Sequence, residues 1–185
     1  GLPVLCVVGY AQSFAEGSHT SIPAPGLGAR AAARGGRDSR LACNLAALGV
    51  SADDISVVSK HDTSTNANDP NEAELHSLIA QALGRSEGNP LYVVSQKTLT
   101  GHSKGGAALF QLAGLTQIFA SGLIPGNMAL DCMDPVFEED SFLVWPRSPF
   151  QHEGVKAGLI SSLGFGHVSA LLALAAPGAF EAAVE

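Results

Sequence analysis

The chain contains 185 residues, of which 46% are hydrophobic and 15% charged, and its mean hydropathy is +0.21. This composition predicts one globular domain with a sizeable core and excludes a disordered chain. Ten basic against 17 acidic side chains give a net charge of −7, which argues against nucleic acid as a partner because phosphate binding requires a basic surface.

Neither a membrane span nor a disulfide framework is indicated. The longest apolar stretches fall well short of the roughly 20 residues that a spanning helix needs, so we expect no membrane partner. Cys6, Cys43 and Cys132 are widely spaced and form no C-x-x-C pair. An odd set of isolated cysteines is typical of the reducing cytosol, so we expect a cytoplasmic protein. We interpret all three cysteines as small core residues.

The first half of the chain alternates between strand and helix patterns. Residues 2–13 predict a largely buried strand, and the glycine, proline and serine residues of 16–36 predict a long loop. Leucines with helical spacing predict a short amphipathic helix over 39–49, with Ser39 or Asp38 as its N-cap. The next predicted elements are a strand at 54–59, a polar loop at 61–71, a helix at 75–83 and a strand at 91–95.

Residues 103–121 predict a helix whose apolar side chains surround its whole circumference. A helix of this kind is typical of a position buried on every side. Further strands are predicted at 142–145, 155–161 and 168–175, and residues 178–185 predict either a helix or a linker. Alternating strands and helices favour an α/β layered fold.

Two histidines stand where a predicted strand is followed by a helix. His61 comes directly after the strand at 54–59, and His102 precedes the apolar helix, five residues after Lys97. That edge of an α/β sheet is where ligands usually bind. An imidazole held there can donate a hydrogen bond to a carbonyl oxygen that gains negative charge.

The residues around both histidines resemble the motifs of one family. Residues 61–65, continued by Asp69 and Glu72, are similar to the β-ketoacyl synthase signature H-x-T-x-T-x-x-x-D-x-x-E. Residues 97–102 are similar to its K-x-x-x-G-H motif, and residues 163–167 resemble its F-G-F-G-G segment. The stretch from Ser95 to Ala108 looks particularly like the synthase module of actinobacterial and fungal type I fatty acid synthases.

The resemblance implies a thiolase-like fold, in which two similar βαβαβ halves pack with buried helices between two sheets. It also implies a decarboxylative Claisen condensation of an acyl thioester with malonyl on acyl carrier protein. In the family a nucleophilic cysteine lies far before the first motif histidine, whereas only 60 residues precede His61 here. We therefore expect residues 1–185 to be the C-terminal half of a ketosynthase domain, inactive without its N-terminal half.

By motif position, His61 and His102 correspond to two catalytic histidines that bind the thioester oxygen of malonyl. The resemblance implies that Lys97 organises the site beside them, with Glu72 as its charge partner. Asp69 matches the signature as well, and a purely structural cap explains it equally.

The remaining motif residues have two readings each. The resemblance implies that Thr63 and Thr65 bind the phosphopantetheine arm, and ordinary loop capping explains the same threonines. It implies that Phe165 is the gate of the acyl pocket and supplies half of the oxyanion hole through its backbone N–H, and a buried aromatic in a turn also fits. Leu163 and His167 depart from the family pattern, which leaves the acyl-chain preference open.

The resemblance implies partners rather than cofactors. No metal or redox cofactor is expected, because the substrates are carried on the phosphopantetheine of acyl carrier protein. The expected partners are that carrier, the N-terminal half of the domain and further copies of the same assembly. A basic cluster in the acidic chain is either a solvated loop or a dock for the acidic carrier; it comprises Arg30, Arg34, Arg37 and Arg40.

Two other functions stay open. Residues 101–105 fit the G-x-S-x-G motif of a serine hydrolase with Ser103 as nucleophile, and acidic residues and histidines follow in the required order. That motif requires a strand that ends at the serine, whereas the predicted strand stops eight residues earlier, at Ser95. The other alternative is a non-catalytic interaction module with thiolase-like architecture.

Overall fold

A computed structural model describes residues 1–15, 28–166 and 168–184. The strands are β1 (Val7–Ala15), β2 (Ile55–Ser59), β3 (Leu91–Val94), β4 (Leu123–Ile124), β5 (Leu143–Val144), β6 (Phe150–Gln151), β7 (Ala157–Gly164) and β8 (Val168–Ala175). The helices are α1 (Arg40–Ala46), α2 (Asn68–Leu83), α3 (Lys97–Thr100), α4 (Ala107–Ser121) and α5 (Pro177–Val184). Among the described residues, no helix is both long and apolar enough to cross a membrane.

Six strands form one mixed sheet in the order β1-β8-β7-β2-β3-β5, and β4 pairs with β6 separately. Strand β2 is parallel to both β3 and β7, and β3 is parallel to β5. Strand β8 is antiparallel to β7 on one side and to β1 on the other. The carboxyl ends of β2, β3 and β7 therefore meet at one edge of the sheet.

The sheet side chains alternate between two apolar clusters. Val58 packs among the buried side chains of α1 and α2, whereas Val57 and Ile160 pack with Leu115 of α4. Successive residues of a strand point to opposite faces, so the sheet carries helices on both sides. Gly158 lets α4 approach closely, since a Cβ there would lie 3.0 Å from Leu115 Cδ2. The α/β prediction is confirmed.

Helix boundaries follow local capping. The Oγ of Ser39 accepts a hydrogen bond from the amide of Ala42 at 3.2 Å, which identifies Ser39 rather than Asp38 as the N-cap of α1. Helix α2 begins at Asn68, earlier than predicted, because Thr65 Oγ1 accepts a hydrogen bond from its amide at 3.2 Å. The tail forms α5 rather than a linker.

Three expectations about the chain need correction. The first strand begins at Val7 rather than residue 2, and it is not largely buried, because β1 is an edge strand that pairs only with β8. Of the predicted loop at 16–36, residues 16–27 lie outside the described residues, and Gly28–Ala33 forms a 3-10 turn in which Ala29, Ala32 and Ala33 are buried in the core.

Helix α4 is buried on one face only. Gln111 and Leu115 are buried against the sheet, whereas Leu109 is 69% exposed and Phe110 is 44% exposed. The expectation of a helix covered on every side is therefore met only toward the sheet. Within the described chain, nothing covers the opposite, apolar face.

Candidate active site

The predicted site lies where β2 and β3 end. Strand β2 ends at Ser59 and is followed directly by Lys60 and His61, whereas β3 ends at Val94 and leads to α3, which begins at Lys97. The amide of Lys60 donates a hydrogen bond to Val94 O at 3.1 Å. Because the two strands are parallel neighbours, the residues that follow them lie at the same sheet edge.

The structure brings His61, Lys97 and His102 together. The two imidazole centroids lie 5.7 Å apart, with an interplanar angle of 87°. The ammonium of Lys97 lies 3.5 Å from His61 Nδ1 and also donates a hydrogen bond to the backbone carbonyl of His61. His61 is buried, Lys97 is half-buried and His102 is exposed. Two rings placed this way can donate to one oxygen atom from two directions.

Hydrogen bonding assigns the same tautomer to both imidazoles. An ammonium only donates, so the Nδ1 of His61 faces Lys97 as an acceptor. The Nδ1 of His102 accepts a hydrogen bond from the amide of Lys104 at 3.1 Å. Lys104 adopts a left-handed φ of 52°, an uncommon conformation for a lysine. In each neutral ring the hydrogen therefore resides on Nε2, which is left to donate to a substrate.

The surroundings of His61 favour the uncharged ring. Burial lowers the pKa of His61 to about 4, and the proximity of Lys97 and His102 lowers it further, whereas Asp62 opposes the shift. Burial also lowers the pKa of Lys97, whereas the negative charges of Glu72 and Asp62 act in the opposite direction. At pH 7 His61 is a neutral imidazole that acts as a hydrogen-bond donor.

Glu72 is fully buried and holds the loop that carries His61. Its Oε1 accepts hydrogen bonds from the amide of His61 and from Ser161 Oγ, both at 2.8 Å. Its Oε2 accepts from the amide of Asp62 at 2.6 Å and from Asn68 Nδ2 at 2.8 Å. Since both oxygens are occupied, the predicted pairing of Glu72 with Lys97 is an interaction of charges without a direct ion pair among the described residues.

The other residues of the first motif lie around the start of α2. Thr65 caps that helix through its Oγ1, and its carbonyl oxygen accepts from the amides of Asn68 and Asp69 at 3.0 Å. Thr63 is half-buried. Asp69 is half-buried, and burial raises its pKa above the usual value, although the charge of Lys60 opposes the shift. Capping accounts for Thr65 here, and pantetheine binding by the two threonines stays a prediction.

Phe165 lies at the tip of the hairpin between β7 and β8 and is 83% exposed. Gly166, which follows it, has a φ of 83°, a conformation that favours glycine. Ile160 pairs with Ser59, and β7 continues beyond it to Gly164, so the tip projects past the edge that carries His61. The exposed ring excludes a buried aromatic, and the gate role stays a prediction. His167 lies outside the described residues.

Two polar residues that the motif analysis missed connect the site to the core. The buried Gln111 donates through Nε2 to the carbonyls of Ser59 and Lys60 at 2.8 Å and to that of Ser161 at 3.1 Å. Ser161 Oγ also lies 3.0 Å from Nε2 of the buried His76. Gln111 could have been noticed because it is a polar residue within an otherwise apolar helix, whereas nothing in the sequence distinguishes Ser161.

A cleft of about 200 Å³ lies beside the loop that carries His61. Its lining includes Lys60, Asp62, Asp69 and Cys132. Cys132 and Cys43 are exposed, so the prediction that they are core residues is wrong: each occupies an outward-facing position, and only Cys6 is half-buried. In the described part of the chain, no group of three or more acidic, histidine or cysteine side chains is arranged to hold a metal ion.

The structure lacks the geometry that a serine hydrolase requires around its nucleophile. Strand β3 ends at Val94, and the helical turn Lys97–Thr100 intervenes before Ser103. A nucleophile elbow needs a strand that passes directly into the serine turn. Ser103 is therefore not placed as a hydrolase nucleophile.

The fold is that of the thiolase-like ketosynthases. The noncanonical ketosynthase FabY from P. aeruginosa matches with a TM-score of 0.77 at 24% identity, over 98% of this chain and 29% of that one. A solved complex of a type II PKS acyl-carrier protein with its ketosynthase (AntDE:AntF) matches with a TM-score of 0.70 at 22% identity, over 93% of this chain and 38% of that one. These similarities confirm the predicted thiolase-like fold.

Sequence comparison then shows the family. Residues 5–131 match the model described as "Beta-ketoacyl synthase, C-terminal domain", and the chain belongs to this family. Fatty acid synthase alpha subunit stcJ of Emericella nidulans is 40% identical over 176 residues, 93% of this chain and 11% of the relative. Fatty acid synthase subunit alpha of Candida albicans is 46% identical over 126 residues, 68% of this chain and 7% of the relative.

The chain thus spans only a small part of the relatives it matches. The resemblance to the synthase of fatty acid synthases, drawn from the motifs, is confirmed. The segment at 163–167 lies outside the residues matched by the family model, so the assignment of Phe165 rests on the motif alone.

Proposed function

We propose that this chain is the C-terminal half of a 3-oxoacyl-[acyl-carrier-protein] synthase domain. The domain condenses an acyl thioester with malonyl-ACP, with loss of CO2, in fatty acid elongation. The observation that carries the proposal is the convergence of His61 and His102, whose rings lie 5.7 Å apart with each Nε2–H free of an intramolecular acceptor in the described chain. The similarity to fatty acid synthase alpha subunits supports fatty acids as the product class.

In the proposed reaction, the thioester oxygen of malonyl accepts hydrogen bonds from Nε2 of His61 and of His102. The bond to the malonyl carboxylate breaks, CO2 leaves, and its electron pair moves through the α-carbon to the thioester oxygen as an enolate. Two donors aimed at that oxygen stabilise the developing charge. The enolate carbon then attacks the acyl thioester held by a cysteine of the N-terminal half, forms the new C–C bond and releases the cysteine thiolate.

Lys97 acts on this step through His61. Its ammonium binds the backbone carbonyl of His61 and lies beside Nδ1, which fixes the ring orientation. Its charge also disfavours protonation of that ring. His61 therefore keeps its Nε2–H as a donor at physiological pH.

The exposed apolar face of α4 supports an N-terminal half as partner. Leu109 and Phe110 are exposed on α4, and Leu99 of the preceding turn is 48% exposed. Contiguous apolar surface of this kind marks an interface. We propose that the half with the nucleophilic cysteine covers it and completes the site, and the homo-oligomer stays a prediction for the complete domain.

The arginine cluster supports acyl carrier protein as partner. Arg30 pairs with Glu74 at 2.5 Å, whereas Arg34, Arg37 and Arg40 are exposed and available to an acidic surface. We expect charge reversal at Arg34 and Arg40 to raise the KM for malonyl-ACP and to leave decarboxylation of a small malonyl thioester unchanged. Arg147→Glu, at another exposed site, is the control. An unchanged KM would remove the cluster from the proposal.

The proposed reaction is tested in the intact synthase. His61→Ala and His102→Ala should each lower malonyl decarboxylation by about 10²-fold or more, because each removes a donor from the developing oxyanion. His152→Ala, at a histidine that packs edge-to-face against Tyr92 away from the site, should change the rate by less than about twofold. Decarboxylation that survives both site substitutions would refute the proposed function.

A further inference from the structure

His76 is a fully buried histidine that the proposed reaction does not use. It lies on α2 with 0% of its surface exposed, and burial lowers its pKa to about 3, which leaves the ring neutral. Its Nε2 lies 3.0 Å from Ser161 Oγ, whereas its Nδ1 has no hydrogen-bond partner among the described residues. A polar ring without full hydrogen bonding is costly to bury, so its contact with Ser161 requires an explanation.

The Oγ of Ser161 joins three segments of the chain. Ser161 lies on β7 and is buried. Its hydroxyl lies 2.8 Å from Glu72 Oε1 and 3.0 Å from His76 Nε2, and these two partners lie four residues apart on α2. It also accepts a longer hydrogen bond, at 3.3 Å, from the amide of His61. The loop that carries His61 is therefore connected to both β7 and α2 through one oxygen atom.

The three contacts use every hydrogen-bonding position of the Ser161 hydroxyl, which can donate once and accept twice. The amide of His61 only donates, so Ser161 Oγ accepts there. If Glu72 is ionised, the hydroxyl donates to its Oε1 and accepts from Nε2–H of His76. If Glu72 carries a proton on Oε1, the hydroxyl accepts from Glu72 and donates to His76 Nε2. All three contacts persist in both arrangements, so this bridge does not depend on the charge of Glu72.

A second connection runs beside the hydroxyl. Gln111 Nε2 donates to the carbonyl of Ser161 at 3.1 Å and to the carbonyls of Ser59 and Lys60 at 2.8 Å. Strand β7 is thus connected to residues 59–61 at two points. Of these two connections, only the hydroxyl reaches His61 itself.

His102 has separate support. Its Nδ1 accepts a hydrogen bond from the amide of Lys104, in the turn before α4. A displacement of His61 therefore changes its position relative to His102. Because misplacement of a catalytic group by about 1 Å can cost about 10²-fold in rate, the support of His61 matters for the reaction.

We propose that Ser161 is a positioning residue of the condensing site, whose hydroxyl holds His61 in line with His102, and that His76 supports His61 through that hydroxyl. Neither Ser161 nor His76 touches the substrate. The effect on kcat rests on the proposed function, whereas the position of His61 can be measured without it.

The kinetics of malonyl-ACP decarboxylation by the intact synthase test this role of Ser161. Ser161→Ala removes the bridge but leaves Glu72 Oε1 as an acceptor for the amide of His61, so the loop keeps part of its support. We expect kcat to fall about tenfold and KM to stay within about twofold, because the substrate still binds while one donor is misplaced. The control Ser162→Ala, whose side chain points to the opposite face of the sheet, should keep the parent's kcat. A Ser161→Ala enzyme with the parent's kcat, or with a loss confined to KM, overturns the inference.

A double-mutant cycle tests the role of His76. His76→Leu removes one contact of the hydroxyl and should lower kcat about threefold, less than Ser161→Ala, because Glu72 and the amide of His61 still bind Ser161 Oγ. Since His76 acts through that hydroxyl, adding His76→Leu to Ser161→Ala should cause no further loss of kcat. Losses that multiply in the double variant would overturn the inference.

The structure of the Ser161→Ala synthase provides a test that does not depend on activity. The ring centroids of His61 and His102 lie 5.7 Å apart, and this separation should change by about 1 Å or more while His102 keeps its contact with Lys104. If the parent synthase does not decarboxylate malonyl, the proposed function is wrong, and the separation still decides whether Ser161 positions His61. If Ser161→Ala does not fold, His76→Leu, which keeps the serine, is measured in its place. An unchanged separation in the variant measured overturns the inference.

Discussion

Replacing Glu72 with alanine removes the acceptor for four hydrogen bonds at once. The donors are the amides of His61 and Asp62 and the side chains of Asn68 and Ser161, at 2.6 to 2.8 Å. Glu72 is fully buried, so water does not replace the lost acceptor without rearrangement of the loop.

The expected cost follows from these contacts. A buried donor left without a partner costs about 1–3 kcal/mol. The side chains of Asn68 and Ser161 can reorient, and the amide of His61 keeps a hydrogen bond to Ser161 Oγ at 3.3 Å. The amide of Asp62 finds no other acceptor unless the loop moves, and Asp62 and Ser64 in that loop have left-handed φ values of 48° and 51°. We therefore expect Glu72→Ala to lower the free energy of unfolding by about 3 kcal/mol, a large part of the roughly 5–15 kcal/mol that stabilises a typical domain. Glu72→Gln keeps one acceptor oxygen and should cost about half as much.

Urea unfolding of the complete condensing domain measures this difference. Glu74→Ala is the matched control, because Glu74 lies on the same helix, is half exposed and makes only a surface ion pair with Arg30. Its loss should cost less than about 1 kcal/mol. A Glu72→Ala domain that is as stable as the Glu74→Ala domain would refute the assignment of Glu72 as the anchor of the loop that carries His61 and Asp62.

Three further predictions concern the core, the pH response and the exposed face. Gln111→Met should lower the free energy of unfolding, measured in urea, by about 2 kcal/mol, because it removes the donor to three carbonyls. Gln111→Glu should lower it more, because it places a carboxylate against those carbonyls. The control Gln117→Glu, on the exposed side of the helix, should leave it unchanged. Burial lowers the pKa of His61 to about 4 and that of His76 to about 3, below the unfolded value of about 6.5, so the unfolded state binds more protons in that window and stability should fall as pH drops from 6.5 to 4. His76→Gln should flatten this dependence in urea midpoints measured across that range, and a parent protein with no such dependence would contradict the shifts. Phe110→Asp should weaken retention of the chain by a separately expressed N-terminal half in a pull-down, and full retention would remove α4 from that interface.

The sequence predicted the arrangement of the site because its motifs follow strands. His61 and Lys97 each lie within three residues of the end of a buried β-strand, and the strands are parallel neighbours, so their meeting point follows from the α/β pattern. His102 is held near them by the short turn between α3 and α4. Capping by Ser39 was likewise readable from local sequence.

The polar network behind the histidines could not be predicted in the same way. Ser161 meets Glu72 across 89 residues of sequence, and Gln111 meets Ser59 across 52. Such pairings depend on sheet order and on the side of a strand that faces a helix, which local patterns do not specify. The burial of β1 and of the outer face of α4 was overestimated, because an apolar sequence pattern does not tell whether another element covers that surface.

The binding of one substrate oxygen by His61 and His102 is tested most directly by the structure of the complete condensing domain with a malonyl-thioester analogue that cannot lose CO2. We expect the thioester carbonyl oxygen to lie about 3 Å from Nε2 of both His61 and His102. A carbonyl oxygen bound by other groups, with both imidazoles out of hydrogen-bonding range, would contradict the proposed role of the two histidines.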